Sequence, residues 1–374
     1  MDFTITRFGD FAVFKYGKMP KKSEIKENGK YPIYSGYRYV GYYDDYNTEA
    51  NQLIIVARGV GGTGDVKLTK ERCYLTNLSI SAQIDESVVL PQYLYYYFSL
   101  RNLRYLDSGS AQSQITISDL GKVEIPLPNI ESQMRIVDCL SMLDYKIRTN
   151  EMINNNLLEQ VLTLYRNKFV DTANNERAIC RADEYFDISI GKTPPRKEPQ
   201  WFSTNPQDVT WVSISDMGTC GLYISSSSEQ LTKEAVDRHN VKIVPDNTVL
   251  LSFKLTVGRI AITNGEMTTN EAIAHFKTDK KEINEYLYCY LKCFNYQTMG
   301  STSSIATAVN SKIIKGMPFV VPTDDELIDF HSVAAPMFAK IKADQTESEK
   351  LTAVRDTLLP KLMSGELDVS DIEI

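Results

Sequence analysis

Residues 130–170 read IESQMRIVDCLSMLDYKIRTNEMINNNLLEQVLTLYRNKFV, a stretch with neither glycine nor proline. One set of positions recurs in alternating steps of three and four residues, the spacing of a helix that packs against another helix. These positions are Leu140, Leu143, Ile147, Asn150, Asn154, Leu157, Val161, Leu164 and Lys168. The stretch therefore predicts a helix of about 39 residues, roughly 58 Å long, far above the mean of about 11–12 residues in globular proteins.

A second long segment, from about residue 324 to 363, repeats this pattern at a constant offset along the chain. The matching positions are Ala334, Met337, Ile341, Asp344, Ser348, Leu351, Arg355, Leu358 and Leu362. In both segments the ends are apolar and the middle is polar, and buried polar residues at such positions set the register of a helix pair. We predict antiparallel pairing through Leu143, Ile147, Asn150, Asn154, Leu157, Met337, Ile341, Asp344, Ser348 and Leu351. The alternative is two surface helices that each cover their own domain.

The rest of the chain also contains an internal repeat. LIIVARGVGG (53–62) recurs as VLLSFKLTVG (249–258), YLYYYF (93–98) as YLYCYL (286–291), GSAQSQI (109–115) as GSTSSIA (300–306), and VEIPLP (123–128) as MPFVVP (317–322). Matches in the same order indicate one duplicated module. Within each copy, short β-branched and aromatic runs alternate with Gly, Asn and Ser turns, which is typical of strands. Short helices are expected at 91–104 and 282–296.

The predicted fold is α+β, with two homologous domains separated by two long antiparallel helices in a pseudo-two-fold repeat. We place the domains at 1–129 and 176–322, and the long helices with their flanking segments at 130–175 and 323–374. The net charge is −7. The last 52 residues, with 5 basic and 12 acidic side chains, carry all of this excess. Bulk charge therefore does not exclude nucleic-acid binding by the other segments.

Several function classes are disfavoured by the composition. No apolar run reaches the roughly 18 residues of a membrane span, and the N-terminus lacks an apolar signal core. The six cysteines form no CxxC pair and the three histidines are dispersed, which argues for reduced thiols and against a metal site. We expect a cytoplasmic chain that binds no membrane and no metal.

Residues 59–64, GVGGTG, match the GxGxxG pattern of dinucleotide-binding loops. That motif must open a helix, whereas the following DVKLT (65–69) is strand-like. We interpret the glycines as a β-hairpin turn. A nucleotide-using enzyme built around them remains a minor alternative.

Basic residues surround two equivalent turns. Lys18, Lys21 and Lys22 lie in or directly after one Gly-Lys-x-Pro turn, and Lys192, Arg196 and Lys197 lie in or directly after the other. Amines on turns without local acidic partners suit DNA phosphates. Equivalent strands end at Arg58 and Lys254, beside glycines, where a cation can face a phosphate or a base edge.

The two copies diverge at 23–52 and 198–248, the regions where different sequences would be read. The first holds Tyr34, Tyr37, Tyr39, Tyr42, Tyr43 and Tyr46, with Arg38 among them. In the second, Ser213 and Ser215 offer hydrogen bonds to base edges, although a local turn with Asp216 is the competing interpretation. Arg259 completes the set of candidate DNA-binding residues.

Four stretches resemble the specificity subunits of type I restriction–modification systems. They are GSAQSQITISDLGKVEIPLPNIESQMRIVDCL (109–140), WVSISDMG (211–218), VLLSFKLTVGRIAI (249–262) and LTAVRDTLLPKLMSGELDV (351–369). Members of that family close each recognition domain with a Gly-Ser stretch, a strand ending in Pro-x-Pro and a Glu- and Gln-rich helix start. The second copy departs from this pattern with Val320-Val-Pro322.

The resemblance implies two target-recognition domains that each read half of a split, asymmetric sequence in double-stranded DNA. It implies that the long helices act as a spacer and dock two modification (methyltransferase) subunits, and that restriction (motor–nuclease) subunits complete the complex. The chain would have no catalytic residues and bind no cofactor, with S-adenosylmethionine, ATP and Mg²⁺ bound by the partners. The alternative is a two-domain carbohydrate- or protein-binding adaptor on a coiled-coil stalk.

Overall fold

The structure is a computed structural model that describes residues 1–36, 38–59, 62–107, 114–172, 177–299 and 310–369. The chain divides into a first unit, Met1–Lys146 with Lys350–Ile374, and a second unit, Ile147–Glu349. Both long helices continue across this division. Within the described ranges, no helix has the length and apolarity needed to cross a bilayer.

The first unit is mixed helix and sheet. Its strands are β1 (Thr4–Arg7), β2 (Ala12–Tyr16), β3 (Tyr31–Ser35), β4 (Arg38–Tyr43), β5 (Leu53–Val56), β6 (Val66–Leu68), β7 (Tyr74–Leu75), β8 (Ser79–Ile84) and β9 (Glu124–Leu127). Its short helices are α1 (Phe8–Phe11), α2 (Pro91–Leu100) and α3 (Ile117–Gly121). The sheet orders are β2-β8-β5-β6, β4-β3-β7 and β1-β9. α2 lies where the sequence predicts a helix but ends earlier, at Leu100.

The long helix α4 spans Ile130–Tyr165 and ends in a π-helical turn, Arg166–Val170. It begins directly after Asn129, whose side-chain oxygen accepts a hydrogen bond from the Ser132 amide at 2.8 Å and so caps the first turn. The second long helix, α10, spans Asp324–Ser364 and continues through Pro336 and Pro360. These bounds agree with the pattern of apolar and polar positions.

The second unit repeats the first. Its strands are β10 (Ile179–Arg181), β11 (Asp187–Ile190), β12 (Phe202–Ser203), β13 (Val209–Val212), β14 (Tyr223–Ile224), β15 (Glu229–Leu231), β16 (Val249–Ser252), β17 (Ile260–Thr263), β18 (Thr268–Thr269), β19 (Ile273–Lys277) and β20 (Pro318–Val320). Its short helices are α5 (Ala182–Tyr185), α6 (Asp216–Thr219), α7 (Lys233–His239), α8 (Asn284–Cys293) and α9 (Ser311–Lys315). The sheet orders are β11-β19-β16-β17-β14, β12-β15-β13-β18 and β10-β20.

The duplicated topology explains the repeated sequence. The antiparallel order β2-β8-β5-β6 corresponds to β11-β19-β16-β17, and the pair β1-β9 corresponds to β10-β20. What differs is the sheet that each divergent region builds: the β4-β3-β7 sheet in the first unit, and the β12-β15-β13-β18 sheet with α7 in the second. The prediction of one duplicated α+β module is confirmed.

Aromatic and aliphatic side chains form a separate core in each unit. In the first, the Phe8 ring lies 4.9 Å from that of Phe14 and 5.5 Å from that of Phe98. In the second, Tyr165 of α4 and Phe169 of its π-helical end pack against Tyr286 of α8 and Phe330 of α10. Each core thus includes residues of both long helices, which ties those helices to the sheets.

The two long helices contact each other within each unit, in antiparallel order. In the second unit, Asn150 bonds to Ser348 while Lys168 bonds to Asp329. In the first unit, the Arg355 guanidinium donates to the Asp144 carboxylate at 2.7 Å, and Arg135 donates to the carbonyl of Val369. Of the predicted pairing positions, Asn150, Ile341 and Asp344 are buried. The others are half-buried: Leu143, Ile147, Asn154, Leu157, Met337, Ser348 and Leu351.

Candidate nucleic-acid interface

The first basic turn is fixed by a glycine that has no room for a side chain. The Gly17 amide donates to the carbonyl of Ser79 at 3.0 Å, and the Lys18 amide donates to the carbonyl of Leu75 at 2.9 Å. A Cβ on Gly17 would lie 2.2 Å from the carbonyl oxygen of Thr76, closer than van der Waals contact allows. Glycine therefore lets the turn sit directly against loop 75–79, and Lys18 is left exposed on the surface.

The second unit builds its turn in the same way. The Gly191 amide donates to the carbonyl of Ile273 at 3.1 Å, and the Lys192 amide donates to the carbonyl of Thr269 at 2.9 Å. A Cβ on Gly191 would lie 2.1 Å from Thr269 Oγ1. The repeated Gly-Lys-x-Pro pattern thus encodes a close backbone approach in both units.

The same two loops hold the ends of the strands that carry Arg58 and Lys254. In the first unit, the amides of Ala57 and Arg58 both donate to the carbonyl of Leu78, at 2.9 and 3.2 Å. In the second, the Phe253 amide donates to the carbonyl of Ala272 at 2.9 Å. Loop 75–79 therefore brings Lys18 and Arg58 to one surface of the first unit, and loop 268–273 does this for Lys192 and Lys254 in the second.

Arg58 and Lys254 differ in exposure. Lys254 is exposed, whereas Arg58 is half-buried and its Nε has no hydrogen-bond acceptor among the residues that the structure describes. β5 and β6 pair antiparallel, with Ile55 opposite Val66, so the chain makes the predicted hairpin after Arg58. Residues 60 and 61 of that turn lie outside the described residues. No helix follows the glycines, so the dinucleotide-loop alternative is wrong.

The expectation that the turn amines lack acidic partners is wrong at two positions. Lys21 Nζ contacts the Glu24 carboxylate at 2.9 Å, and this hydrogen bond raises the pKa of Lys21. Arg196 makes two parallel hydrogen bonds to Glu229, at 3.0 and 2.9 Å. A fork-to-fork pair fixes the guanidinium geometrically, so Arg196 is already matched in charge.

Arg196 also lies over two aromatic rings, 4.1 Å from the ring centre of Phe202 and 4.6 Å from that of Trp211. Such stacking is favourable for arginine. The ion pair and the stacked rings together make Arg196 a support for the second basic turn, while the neighbouring Lys197 stays exposed. Exposed Lys192 extends across the surface and donates to the carbonyl of His239 at 2.5 Å.

Ser213 is engaged in the local turn that competes with base contact. Its hydroxyl donates to the Asp216 carboxylate at 2.7 Å, and its amide donates to the same oxygen at 2.8 Å. Burial opposes the charge on Asp216, but these bonds and those from Ser228 outweigh it and lower the pKa of the carboxyl. Ser215 is exposed, at the start of α6.

Arg259 supports the turn that contains Ser213 and Asp216. Its Nη1 donates to the carbonyl of Ile214 at 2.6 Å. A Cβ on Gly218 would lie 2.3 Å from that nitrogen, so glycine makes space for the guanidinium. In the structure, the guanidinium of Arg259 therefore holds this turn in place.

In the first unit, the β3–β4 hairpin brings Arg38 to loop 75–79. The Thr76 hydroxyl donates to Ser35 Oγ at 3.1 Å, and the Ser79 hydroxyl donates to the carbonyl of Gly36 at 3.3 Å. Arg38 and Tyr39 are exposed there, while Tyr34, Tyr42, Tyr43 and Tyr46 are half-buried. Tyr37 lies outside the described residues.

Sequence reasoning missed a second acidic residue at the second surface, in addition to Glu229. Glu271 accepts a hydrogen bond from the Thr193 hydroxyl. Burial opposes the ionisation of Glu271, but this bond and the charges of Lys254 and Arg196 outweigh it and lower the pKa of the carboxyl. No local sequence signal marks Glu271, because its partners come from turns far away in the chain.

Known proteins resemble this chain along most of its length. The family model described as the type I restriction modification DNA specificity domain matches residues 1–159 and 178–353. The chain is 26% identical over 330 residues to the type I restriction enzyme MjaIX specificity subunit of Methanocaldococcus jannaschii, covering 79% of this chain and 74% of that protein. It is 21% identical over 363 residues to the type I restriction enzyme HindI specificity subunit of Haemophilus influenzae, covering 75% and 78%.

A solved structure shows the same fold. The crystal structure of a type I restriction–modification S subunit from M. genitalium aligns with a TM-score of 0.62 and 19% identity, over 96% of each chain. The family match covers both copies of the duplicated module. The chain therefore belongs to the type I restriction–modification DNA specificity domain family.

Proposed function

We propose that this chain is the DNA-recognition subunit of a type I restriction–modification complex, and that each unit reads one half of a split target. The observation that carries this proposal is the repeated loop. In each unit, one loop holds both a glycine-fixed basic turn and a basic strand end, with Lys18 and Arg58 in the first and Lys192 and Lys254 in the second. A basic surface that is present once in each unit is suited to a DNA target made of two half-sites.

The exposed lysines of these surfaces suit the DNA backbone. Lys18 and Lys22 in the first unit, and Lys197 and Lys254 in the second, make no ion pair with any residue in the described ranges. Their ammonium groups can therefore replace the counterions of phosphates. Phosphate contacts position a protein on a duplex but carry no sequence information.

Sequence discrimination then belongs to the divergent elements. The first unit presents the β3–β4 hairpin with Arg38 and exposed Tyr39, and the second presents the β12-β15-β13-β18 sheet with α7. Side chains on different scaffolds present different donors and acceptors to base edges. The two half-sites should therefore differ, which makes the whole target asymmetric.

Catalysis is assigned to the partners in this proposal. Two modification subunits, docked on the paired helices α4 and α10, supply S-adenosylmethionine chemistry. Restriction subunits supply ATP-dependent translocation and cleavage with Mg²⁺. This chain binds none of these cofactors, acts in the cytoplasm where the DNA is, and contributes recognition only.

Selection from random duplexes tests the proposal. The purified full chain, alone and with its modification subunits, is incubated with a random-sequence duplex library, and bound DNA is sequenced. We expect enrichment of two different short motifs at a fixed separation, with unselected base pairs between them. A chain that enriches no duplex but binds glycans or proteins would support the adaptor alternative instead.

A further inference from the structure

One apolar side chain of the second unit stands fully in solvent on a strained backbone. Leu255, in the connection between β16 and β17, has 99% of its surface exposed and a φ of +60°. A positive φ is unfavourable for a residue with a Cβ. A leucine gains nothing from packing at such a position. Neither the backbone nor the core explains its presence.

The duplicated module provides an internal comparison. The match of 53–62 with 249–258 places Leu255 opposite Gly59. Gly59 also has a positive φ, +139°, and no atom lies within 4 Å of the position that its Cβ would occupy. The two φ values differ, but in the first unit the positive φ falls on glycine, the residue that tolerates it best. The second unit keeps a leucine there at a cost in stability, and such conflicts with local rules concentrate at functional sites.

The loop that carries Leu255 is held firmly at its base. Buried Ser252 donates its hydroxyl to the carbonyl of Thr256 at 2.6 Å and accepts from the Arg259 amide at 3.0 Å. The Gly258 amide donates to the carbonyl of Ser252 at 3.0 Å. These bonds fix both sides of the tip, so Leu255 projects from a defined position.

The charged groups nearest to Leu255 are a cation, Lys254, and the Glu271 carboxylate, whose pKa Lys254 helps to lower. Lys254 precedes it and is exposed. The next residue back, Phe253, is bonded to loop 268–273, which also holds the turn of Gly191 and Lys192. A protein partner would match an exposed leucine with an apolar rim, whereas an apolar tip with Lys254 beside it and Lys192 on the adjoining turn suits a duplex. The DNA phosphates would pair with the lysine ammonium groups, and the leucine side chain would reach the stacked bases.

We propose that Leu255 is an apolar wedge that inserts between stacked base pairs in the half-site read by the second unit. This inference rests on the proposed function. Apolar side chains that enter a base step unstack it and bend the duplex, at a free-energy cost that depends on the step. In the first unit the matching position is Gly59, which has no side chain to insert.

The test uses the duplex selected by the wild-type full chain, with 2-aminopurine placed in turn at each position of each half-site. Its fluorescence rises when its stacking is lost. We expect a several-fold rise at one step of the second half-site with wild type. Leu255→Gly should abolish the rise and weaken binding of the selected duplex about tenfold. The melting temperature should stay the same or increase, since glycine suits the backbone. Leu255→Met should retain the signal.

Three results would overturn the wedge. The first is a fluorescence rise and an affinity that Leu255→Gly leaves unchanged. The second is loss of modification-subunit binding by Leu255→Gly with DNA binding intact, which would make the leucine a protein contact. The third is a wild-type chain that selects no duplex. In that case the wild-type arm alone shows that the proposed function has failed, and the wedge fails with it.

Discussion

The side-chain amide of Asn150 on α4 donates a 3.3 Å hydrogen bond to Ser348 Oγ on α10, within the second unit. The same Nδ2 contacts the carbonyl of Asp344 at 3.4 Å and the Glu347 carboxylate at 2.8 Å. Asn150 and Asp344 are 0% and 2% exposed. The polar middles of the two helices therefore meet at Asn150, at a buried site where an unmade hydrogen bond is costly.

This polar centre should reduce stability and fix the register of the helices. Asn150 Oδ1, Asn154 Oδ1 and Asp344 Oδ2 are buried and accept no hydrogen bond from the described residues. Replacing Asn150, Asn154, Asp344 and Ser348 together by leucine should raise the free energy of unfolding by about 1–4 kcal/mol. It should also broaden the distribution of distances between spin labels on the two helices, because the helices would no longer be held in one register.

The single variant Asn150→Ala is the matched control. It removes the hydrogen bonds that Asn150 donates at a buried site, so we expect it to lose about 1–3 kcal/mol. Denaturant unfolding measures both variants. A fourfold leucine variant that is less stable, or one that keeps a single sharp label distance, would contradict the assigned role of the polar centre.

The free lysines of the first unit should determine the salt dependence of DNA binding. Lys18→Ala with Lys22→Ala should lower the slope of log K against log salt by roughly 2, with equal loss for all sequences. Lys21→Ala is the control, because its amine already pairs with Glu24, and it should change the slope less. A double variant with an altered preferred sequence and an unchanged slope would show that these lysines do not contact phosphates.

In the second unit, Lys197→Ala with Lys254→Ala should act in the same way. Here the contrasting variant is Arg196→Ala, which removes the stacked ion pair with Glu229. Loss of that support should lower stability as well as affinity, whereas the lysine variant should change affinity alone. Thermal melting measures the stability of each variant, and filter binding measures its affinity for DNA. A lysine variant with a lowered melting temperature would contradict the assignment of Lys197 and Lys254 to DNA binding alone.

The two close glycines should tolerate no side chain. Gly17→Ala and Gly191→Ala each place a Cβ within about 2.2 Å of atoms in the adjoining loop, and relief of such overlap typically costs 1–3 kcal/mol. Each variant should weaken selection of its own half-site. Gly121→Ala is the control, because its Cβ would meet only Gly9 Cα, at 3.9 Å. An unaffected Gly17→Ala variant would mean that the basic turn does not depend on this contact.

Acid should destabilise the second unit through His275. Burial, with the charges of Lys277 and Lys242, lowers the pKa of this imidazole to about 3. It lies between the hydroxyls of Ser189 and Thr269. The unfolded chain binds this proton below about pH 6.5, so stability falls as the pH drops from 6.5 towards 3.

Between pH 7 and pH 5, His275 should account for about 2 kcal/mol of the lost stability. Urea unfolding of wild type and His275→Gln at both values, at constant ionic strength, measures this difference. The glutamine variant should lose less stability on acidification. Equal losses in the two proteins would contradict the assigned pKa.

Local and repeated features of the structure could be predicted from the sequence, and long-range side-chain partners could not. The stepping of apolar residues predicts α4 and α10, and duplication predicts that Gly17 corresponds to Gly191. The pairing of Arg196 with Glu229 depends on how a divergent region folds back on the basic turn, which no spacing encodes. The exposure of Leu255 likewise follows from the backbone of its loop, because the sequence motif alone reads as a strand end.

The methylated sequences of the host genome, with and without this gene, test the central claim most directly. The account predicts one methylated motif that needs the gene, made of two different half-sites separated by unread base pairs. Gly17→Ala and Gly191→Ala should each impair recognition of a different half. A methylome that is unchanged by deletion while the modification subunit is present, or one whose gene-dependent motif is short and contiguous, would contradict it.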